Sequence, residues 1–171
     1  RYTLDHAIVF NSIYKKNENT GISLLQHFKG WVIETEMDVF DPGKASLMDF
    51  RVHQQHGTTF AYVLPFSPRS ALVEYTLFTP NLLEPEQYDL ELRNYISQFL
   101  QLTNYTILEQ EFGVIPMTNE KFTIYHDGVF NIGTAGGQTK ASSGYTFQFI
   151  QKQSDKIMEC LPSGAGLSFL P

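Results

Sequence analysis

An acid in the middle of an otherwise apolar strand is the most chemically suggestive feature of this chain. In "ALVEYTLF", Glu74 shares one strand face with Leu72, Thr76 and Phe78, while Ala71, Val73, Tyr75 and Leu77 take the other. Covering the first face would strip water from the carboxyl and raise its pKa into the range of a general acid near neutral pH. Left open to solvent, the same residue is an ordinary surface charge. Asp49 in "SLMDFRV" poses the same choice, with Arg51 two residues on and on the same face as a structural partner. A second feature is "IGTAGGQTKASSGYTF", Ile132 to Phe147, which holds four glycines. Gly133, Gly136 and Gly137 permit positive φ and close backbone approach, and a helix capped by Ser142 or Ser143 is expected just beyond them. Free amides at such a start would form an anion site. A plain loop satisfies the same pattern, because the second glycine of a dinucleotide fingerprint would fall on Ala135 and no strand–helix–strand unit with a ribose-binding acid follows.

Other chemistries find less support. His53 and His56 lie three apart in an expected loop with no third ligand close in sequence, which argues against a metal centre. No Gly-x-Ser-x-Gly elbow is present, and Cys160 has no evident base beside it. A lone cysteine cannot build an internal disulfide framework. The formal charge is -6, and the 12 Lys and Arg residues are scattered without a basic stripe, so nucleic acid is not an expected partner. No apolar run approaches the roughly 18 residues that span a bilayer. At 171 residues with 42% apolar and 14% aromatic content, the chain can fill one good core. It opens on Arg1 and runs almost at once into apolar sequence, which suggests a fragment.

The elements that must position these residues read as an α+β domain. After the apolar run "HAIVFNSIY" and the polar turn "KKNENTG", "SLLQHFKGWVIET" has the aromatic and β-branched content of a long strand, with Gly30 as a bulge. "DPGK" turns the chain; "ASLMDFRV", "TTFAYVLPF" and "ALVEYTLF" then follow as strands of an antiparallel meander, separated by "HQQHG" and "SPRS". In "EPEQYDLELRNYISQFLQL" the period changes to that of an amphipathic helix, with Leu90, Ile96, Phe99 and Leu100 on its apolar side and Pro85 at its start. "YTILEQEFGVIPM" returns to strand character, and "FTIYHDGVFNIG" reads as a hairpin with Asp127-Gly128 at its tip. A second helix is expected over "SGYTFQFIQKQSDKIME", presenting Tyr145, Phe149, Ile150 and Ile157. "GAGLSF" near the end reads as tail.

Five strings taken together resemble the lycopene cyclases, flavin-dependent enzymes that form carotenoid rings. They are "LLQHFKGW", "FDPGKASLMDFR", "FAYVLPFSPRSALVEYTLF", "EFGVIPM" and "IGTAGGQTKASSGYTF", in the family's order across most of residues 24 to 150. One departure is Ala141, where the family carries a proline after the lysine, a change expected to loosen that turn. A larger one is the missing Gly-rich dinucleotide-binding unit that opens such flavoproteins. The resemblance implies a partial chain: residues 1–130 as a substrate-binding sheet domain with one helix, and 131–171 as a Gly-rich turn and helix belonging to an FAD/NAD(P)-binding fold. It implies acid-catalysed, non-redox cyclisation of a linear carotenoid such as lycopene to a β-type ring, with Glu74 as the general acid and Asp49 assisting it or bracing Arg51. It places reduced FAD, with NAD(P)H as a possible reductant, against Gly133, Thr134, Ala135, Gly136, Gly137 and Gly144. Phe50, Tyr62 and Met117 become candidate substrate lining, with core packing an equal alternative for each. No metal is implied. A membrane-dissolved substrate implies peripheral attachment to a membrane surface, cytoplasmic in a bacterium or plastidial in a eukaryote. Two other readings stay open: a related flavoprotein monooxygenase or reductase acting on an isoprenoid, and an isoprenoid-binding domain without chemistry.

Overall fold

The computed structural model describes residues 8–15 and 23–160. Its elements are β1 (Val9–Asn11), β2 (Ser23–Glu34), β3 (Ser46–Asp49), β4 (Thr58–Ser67), β5 (Ser70–Thr79), helix α1 (Pro85–Gln98), β6 (Thr106–Thr118), β7 (Tyr125–His126), β8 (Val129–Asn131), a 3-10 turn (Gly133–Gly136) and helix α2 (Phe147–Cys160). The α+β expectation holds. Most of the polar turn at 15–21, the tail at 164–169 and the side chain of Cys160 lie outside the described residues. Two compact units form, one from Leu24–Ile115 and one from the chain before and after it. The contact boundary thus falls at 115/116 rather than at 130, where the sequence suggested a functional division.

The first unit is a five-stranded sheet in the order β3-β4-β5-β2-β6 with α1 on one face. β4 and β5 join through Pro68-Arg69, where proline pre-sets the φ of a tight reversal, and the register irregularity between Pro65 and Ser67 accommodates a proline within the strand. β3 is shorter than expected because Met48 adopts a positive φ of 53° and the pairing with β4 shifts between Ser46 and Asp49. β2 and β5 pair antiparallel without a shift, Gly30 standing opposite Glu74. The expected bulge at Gly30 is therefore absent, and the glycine has another purpose, described below.

Helix α1 begins at Pro85, whose missing N–H falls where the first turn has no partner to offer it. The Gln87 side chain accepts the Glu84 amide at 2.9 Å. Tyr88, Glu91, Leu92, Tyr95 and Ile96 are buried, an i, i+3, i+4, i+7, i+8 stripe. Leu90, expected on that stripe, is 54% exposed because two residues on a helix turn through about 200° from Tyr88. The stripe packs on Trp31, Ile33, Val63, Ala71, Val73, Tyr75 and Leu77, the inner face of the sheet. His27 is locked there: the Tyr88 hydroxyl donates to its Nδ1 at 2.5 Å, and its Nε2 lies 2.7 Å from Thr79 Oγ1, which donates onward to the Asn81 carbonyl. Burial pushes the His27 pKa down, so the ring stays neutral and joins helix to sheet as a hydrogen-bonded core residue.

The second unit pairs β1 with β8 in parallel, Val9 opposite Val129, and β8 with β7 in a hairpin. Asp127 (φ 49°) and Gly128 (φ 80°) form its two-residue tip, as the sequence indicated. α2 starts at Phe147, later than expected, and Ser142 and Ser143 do not cap it. They belong instead to a turn in which the Lys140 carbonyl accepts the amides of Ser143 and Gly144. The helix turns Ile150, Gln153 and Ile157 inward, while Tyr145 and Phe149 are exposed.

Truncating Leu92 to Ala should remove about 3 kcal/mol of stability, because a fully buried side chain leaves a cavity between helix and sheet. Leu90→Ala should change it by less than about 0.5 kcal/mol. Urea unfolding followed through the fluorescence of Trp31, the sole tryptophan, measures both.

Candidate functional site

Strand alternation puts Ala71, Val73, Tyr75 and Leu77 under α1 and leaves Leu72, Glu74, Thr76 and Phe78 on the opposite face of β5. The register then brings Tyr62 of β4 and Gly30 of β2 directly opposite Glu74. Aromatic rings surround this point. Phe60 meets Tyr62 and Phe50 edge-on at 5.3 and 5.5 Å between centroids, and Phe78 at 5.9 Å.

Two glycines shape the same face. A Cβ on Gly30 would lie 2.7 Å from Glu111 Oε1 and 2.9 Å from Leu72 Cδ1, so the Glu111 side chain of β6 reaches across the empty position toward Glu74. A Cβ on Gly113 would lie 2.2 Å from the Phe28 ring. Each strand's glycine thus receives the long side chain of the other, and the contacts 28–113 and 30–111 run in the order of an antiparallel pair.

The electrostatics follow from this placement. Burial raises the Glu74 pKa to about 7; the Thr76 hydroxyl, donating to Glu74 Oε1 at 2.6 Å, opposes the rise, and the charge and hydrogen bond of Glu111 reinforce it. Tyr62 is pushed up as well, by burial and by the Glu74 charge. Near neutral pH this face therefore carries a carboxyl that retains its proton among aromatic and aliphatic groups. Such a group can protonate an apolar, electron-rich ligand, and the ring faces beside it can stabilise a resulting cation.

Asp49 has the opposite fate. Arg51 Nε contacts its two oxygens at 2.9 and 3.1 Å, Arg51 Nη2 donates at 2.6 Å, and the Tyr95 hydroxyl donates at 2.8 Å. These donors, Arg51 foremost, hold the carboxyl down at about 2. Asp49 stands opposite Ala61 on the α1 side of the sheet, so the structure does not bring it to Glu74. Its geometry is that of a brace, tying β3 to the helix with Arg51 over the Phe99 ring.

Of the expected lining residues, Tyr62 lies beside Glu74 and Phe50 packs on Phe60 at the edge of the same cluster. Met117 is buried and belongs to the other compact unit. Glu111 was missed by sequence reasoning, although "EFGVIPM" contains it. The available signal was a pair of strand-interior glycines, in "FKG" and "EFG", which mark close approach of a neighbouring chain segment.

In the other unit, the glycine-rich segment folds as a tight turn rather than as a helix start. Gly133 and Gly137 adopt φ of 58° and 73°. A Cβ on Gly136 would lie 2.2 Å from the Asn131 carbonyl, and one on Gly137 2.9 Å from Phe122, so the chain's own packing already requires both glycines. The amides of Gly136, Gly137 and Gln138 bond to backbone carbonyls, and Gln153 Oε1 accepts the Gly133 amide at 3.2 Å. That leaves the amide of Thr134, ahead of the turn's first internal bond, for an outside acceptor. Ala135 opens onto a cleft of about 250 Å³ with Asn11, Tyr14, Lys15 and Phe122. Gly144 (φ 69°) serves the separate turn after Lys140, which closes by backbone hydrogen bonds with Ala141 in place of a proline. These residues fit one contact with a cofactor that presents an acceptor atom. No Gly-rich phosphate cradle lies among the described residues.

Among the described residues no group of three His, Cys, Asp or Glu could hold a metal ion, and no helix is long and apolar enough to cross a membrane. A family model described as "Lycopene cyclase protein" matches residues 3–168. No curated protein matches the sequence significantly. In fold, the chain is similar to a geranylgeranyl bacteriochlorophyll reductase-like protein from Thermoplasma acidophilum (TM-score 0.58, 14% identity). It is also similar to a flavin-dependent brominase (TM-score 0.52, 10% identity). These alignments cover 82% and 84% of this chain but 35% and 37% of the other two, so the chain spans about a third of each.

The Glu74 geometry predicts a pH-dependent stability. Its folded pKa lies above the ordinary 4.5, so its contribution is complete below that value and is lost as pH rises through about 7. Between pH 4.5 and 7.5 the native chain should lose on the order of 2 kcal/mol that Glu74→Gln does not lose. Paired urea titrations across that range should show the two stabilities converging or crossing as pH rises; a constant difference would show that Glu74 is hydrated.

Proposed function

We propose, from the premise that the chain belongs to the lycopene cyclase family, that it is the substrate-binding part, with a portion of the cofactor site, of an enzyme that cyclises the end of a linear carotenoid. The single observation that carries this reading is Glu74, a carboxyl protonated near neutrality on an aromatic face. A polyene offers no polar handle, and the only strong interaction it can accept is a proton delivered to a double bond.

The reaction is an isomerisation, balanced in atoms and electrons. The Glu74 carboxyl donates its proton to the terminal double bond, leaving a tertiary cation. A more distant double bond attacks that carbon, closing a six-membered ring and moving the charge into it. The Glu74 carboxylate left by the first step then takes a proton from an adjacent carbon, restoring a double bond, giving the β-type ring and regenerating the acid. The rings of Phe60 and Tyr62 beside the acid supply a cation-tolerant, water-poor surface, while Thr76 orients the carboxyl. Asp49 keeps β3 and its Phe50 in position through Arg51 and Tyr95 rather than exchanging protons. FAD in its reduced form, with NAD(P)H as reductant, supplies electrostatic stabilisation of the developing cation when bound. Thr134 would contact it through its backbone amide, with Ala135 lining the adjoining cleft and Gly133, Gly136 and Gly137 shaping the turn. The carotenoid is membrane-dissolved, so the working enzyme attaches peripherally to a membrane.

The full-length, flavin-loaded protein, incubated with lycopene in heavy water, should place one solvent-derived deuterium in the product per ring, about one mass unit each, with no oxygen uptake and no net consumption of reductant. Glu74→Gln should lower the rate by at least about 100-fold. A product heavier by oxygen or by two hydrogens would replace this reading with that of a monooxygenase or a reductase.

A further inference from the structure

Glu111 is exposed on β6 and makes no ion pair among the described residues. Yet the sheet is built to admit it. Gly30 opposite Glu74 removes the one side chain that would separate the two acids, and a methyl group there would collide with Glu111 Oε1 at 2.7 Å. Leu72 closes the gap from the other side, its Cδ1 2.9 Å from the same point. The groups acting on Glu74 from each neighbouring strand are Tyr62 on β4, none on β2 at Gly30, Glu111 on β6, and Thr76 on its own strand; none is a cation.

Two carboxyls brought together without a cation cannot both ionise cheaply, and the stable form is one shared proton with one negative charge. We propose that Glu111 is a positioning partner for the proposed acid: Glu74 and Glu111 hold one proton between them across Gly30. Within the pair the enclosed Glu74, facing the aromatic cluster, keeps the proton. This assignment rests on the cyclase reading for its catalytic meaning, but the carboxyl pair itself does not depend on it.

In the full-length, flavin-loaded protein the alkaline limb of the pH–rate profile reports Glu74 losing its proton. Glu111→Gln removes the neighbouring charge, so that limb should move down by about one pH unit. Gly30→Ala, which keeps both acids but displaces Glu111, should move it in the same direction. Infrared titration of the protonated carboxyl band gives a second readout: a band titrating near neutrality, absent in Glu74→Gln and titrating about one unit lower in Glu111→Gln. An unmoved limb and an unmoved band in Glu111→Gln would overturn the pair while leaving Glu74 as the acid. If Glu74→Gln still forms rings, the cyclase role of Glu74 fails, and the infrared band alone then decides whether the proton is shared.

Discussion

The register between β4, β5 and β2 is the constraint on which the sheet unit depends. Side chains alternate with a period of two, so a slip of one residue would exchange the entire contents of the two faces. It would carry Glu74 into the core with Trp31 and Leu92 and turn Tyr75 and Val73 out. The register is held on the α1 side by hydrophobic interlock, with Val73 opposite both Trp31 and Val63. It is held again by His27, whose two ring nitrogens are matched to Tyr88 and Thr79. The chemistry proposed for one face is thus secured by packing on the other.

Two acids in adjacent parts of one sheet end up at opposite extremes for reasons that involve no difference in their own chemistry. Asp49 meets a guanidinium fork and a phenol, all donors, and stays ionised; Glu74 meets aromatic rings, a single hydroxyl and another acid, and keeps its proton. The separation of their pKa values, about 2 against about 7, marks which is brace and which is acid. Tyr95 and Tyr62 divide in the same way, one donating to a fixed charge and the other standing beside a neutral carboxyl.

Much of this arrangement was legible in the sequence. Period-two patterning in "ALVEYTLF" assigned the two faces of β5, and the Asp127-Gly128 tip followed from its turn chemistry. What could not be read were relations between strands. Glu111 is one acid among several in "LEQEFG" until pairing sets it against Gly30, and Gly30 reads as a bulge until its opposite number is known. The start of α2 was placed too early because Ser142 and Ser143 have the right chemistry for a cap but are occupied by the Lys140 turn. The glycines at 133–137 answer first to Asn131 and Phe122, contacts that no local pattern reveals.

The parallel pairing of β1 with β8 joins residues 120 apart in sequence, and Leu24–Ile115 is a single uninterrupted unit lying between them. The sheet unit is therefore an insertion in the chain of the other. Because β2 and β6 are neighbours that run antiparallel, the two ends of the insertion leave the sheet side by side. Once the inserted unit has folded, the long separation between β1 and β8 shrinks to a short effective loop, and most of the closure entropy has already been spent on local pairings. This implies an order of assembly: the meander and α1 first, as a contiguous nucleus, with the parallel ribbon closing last.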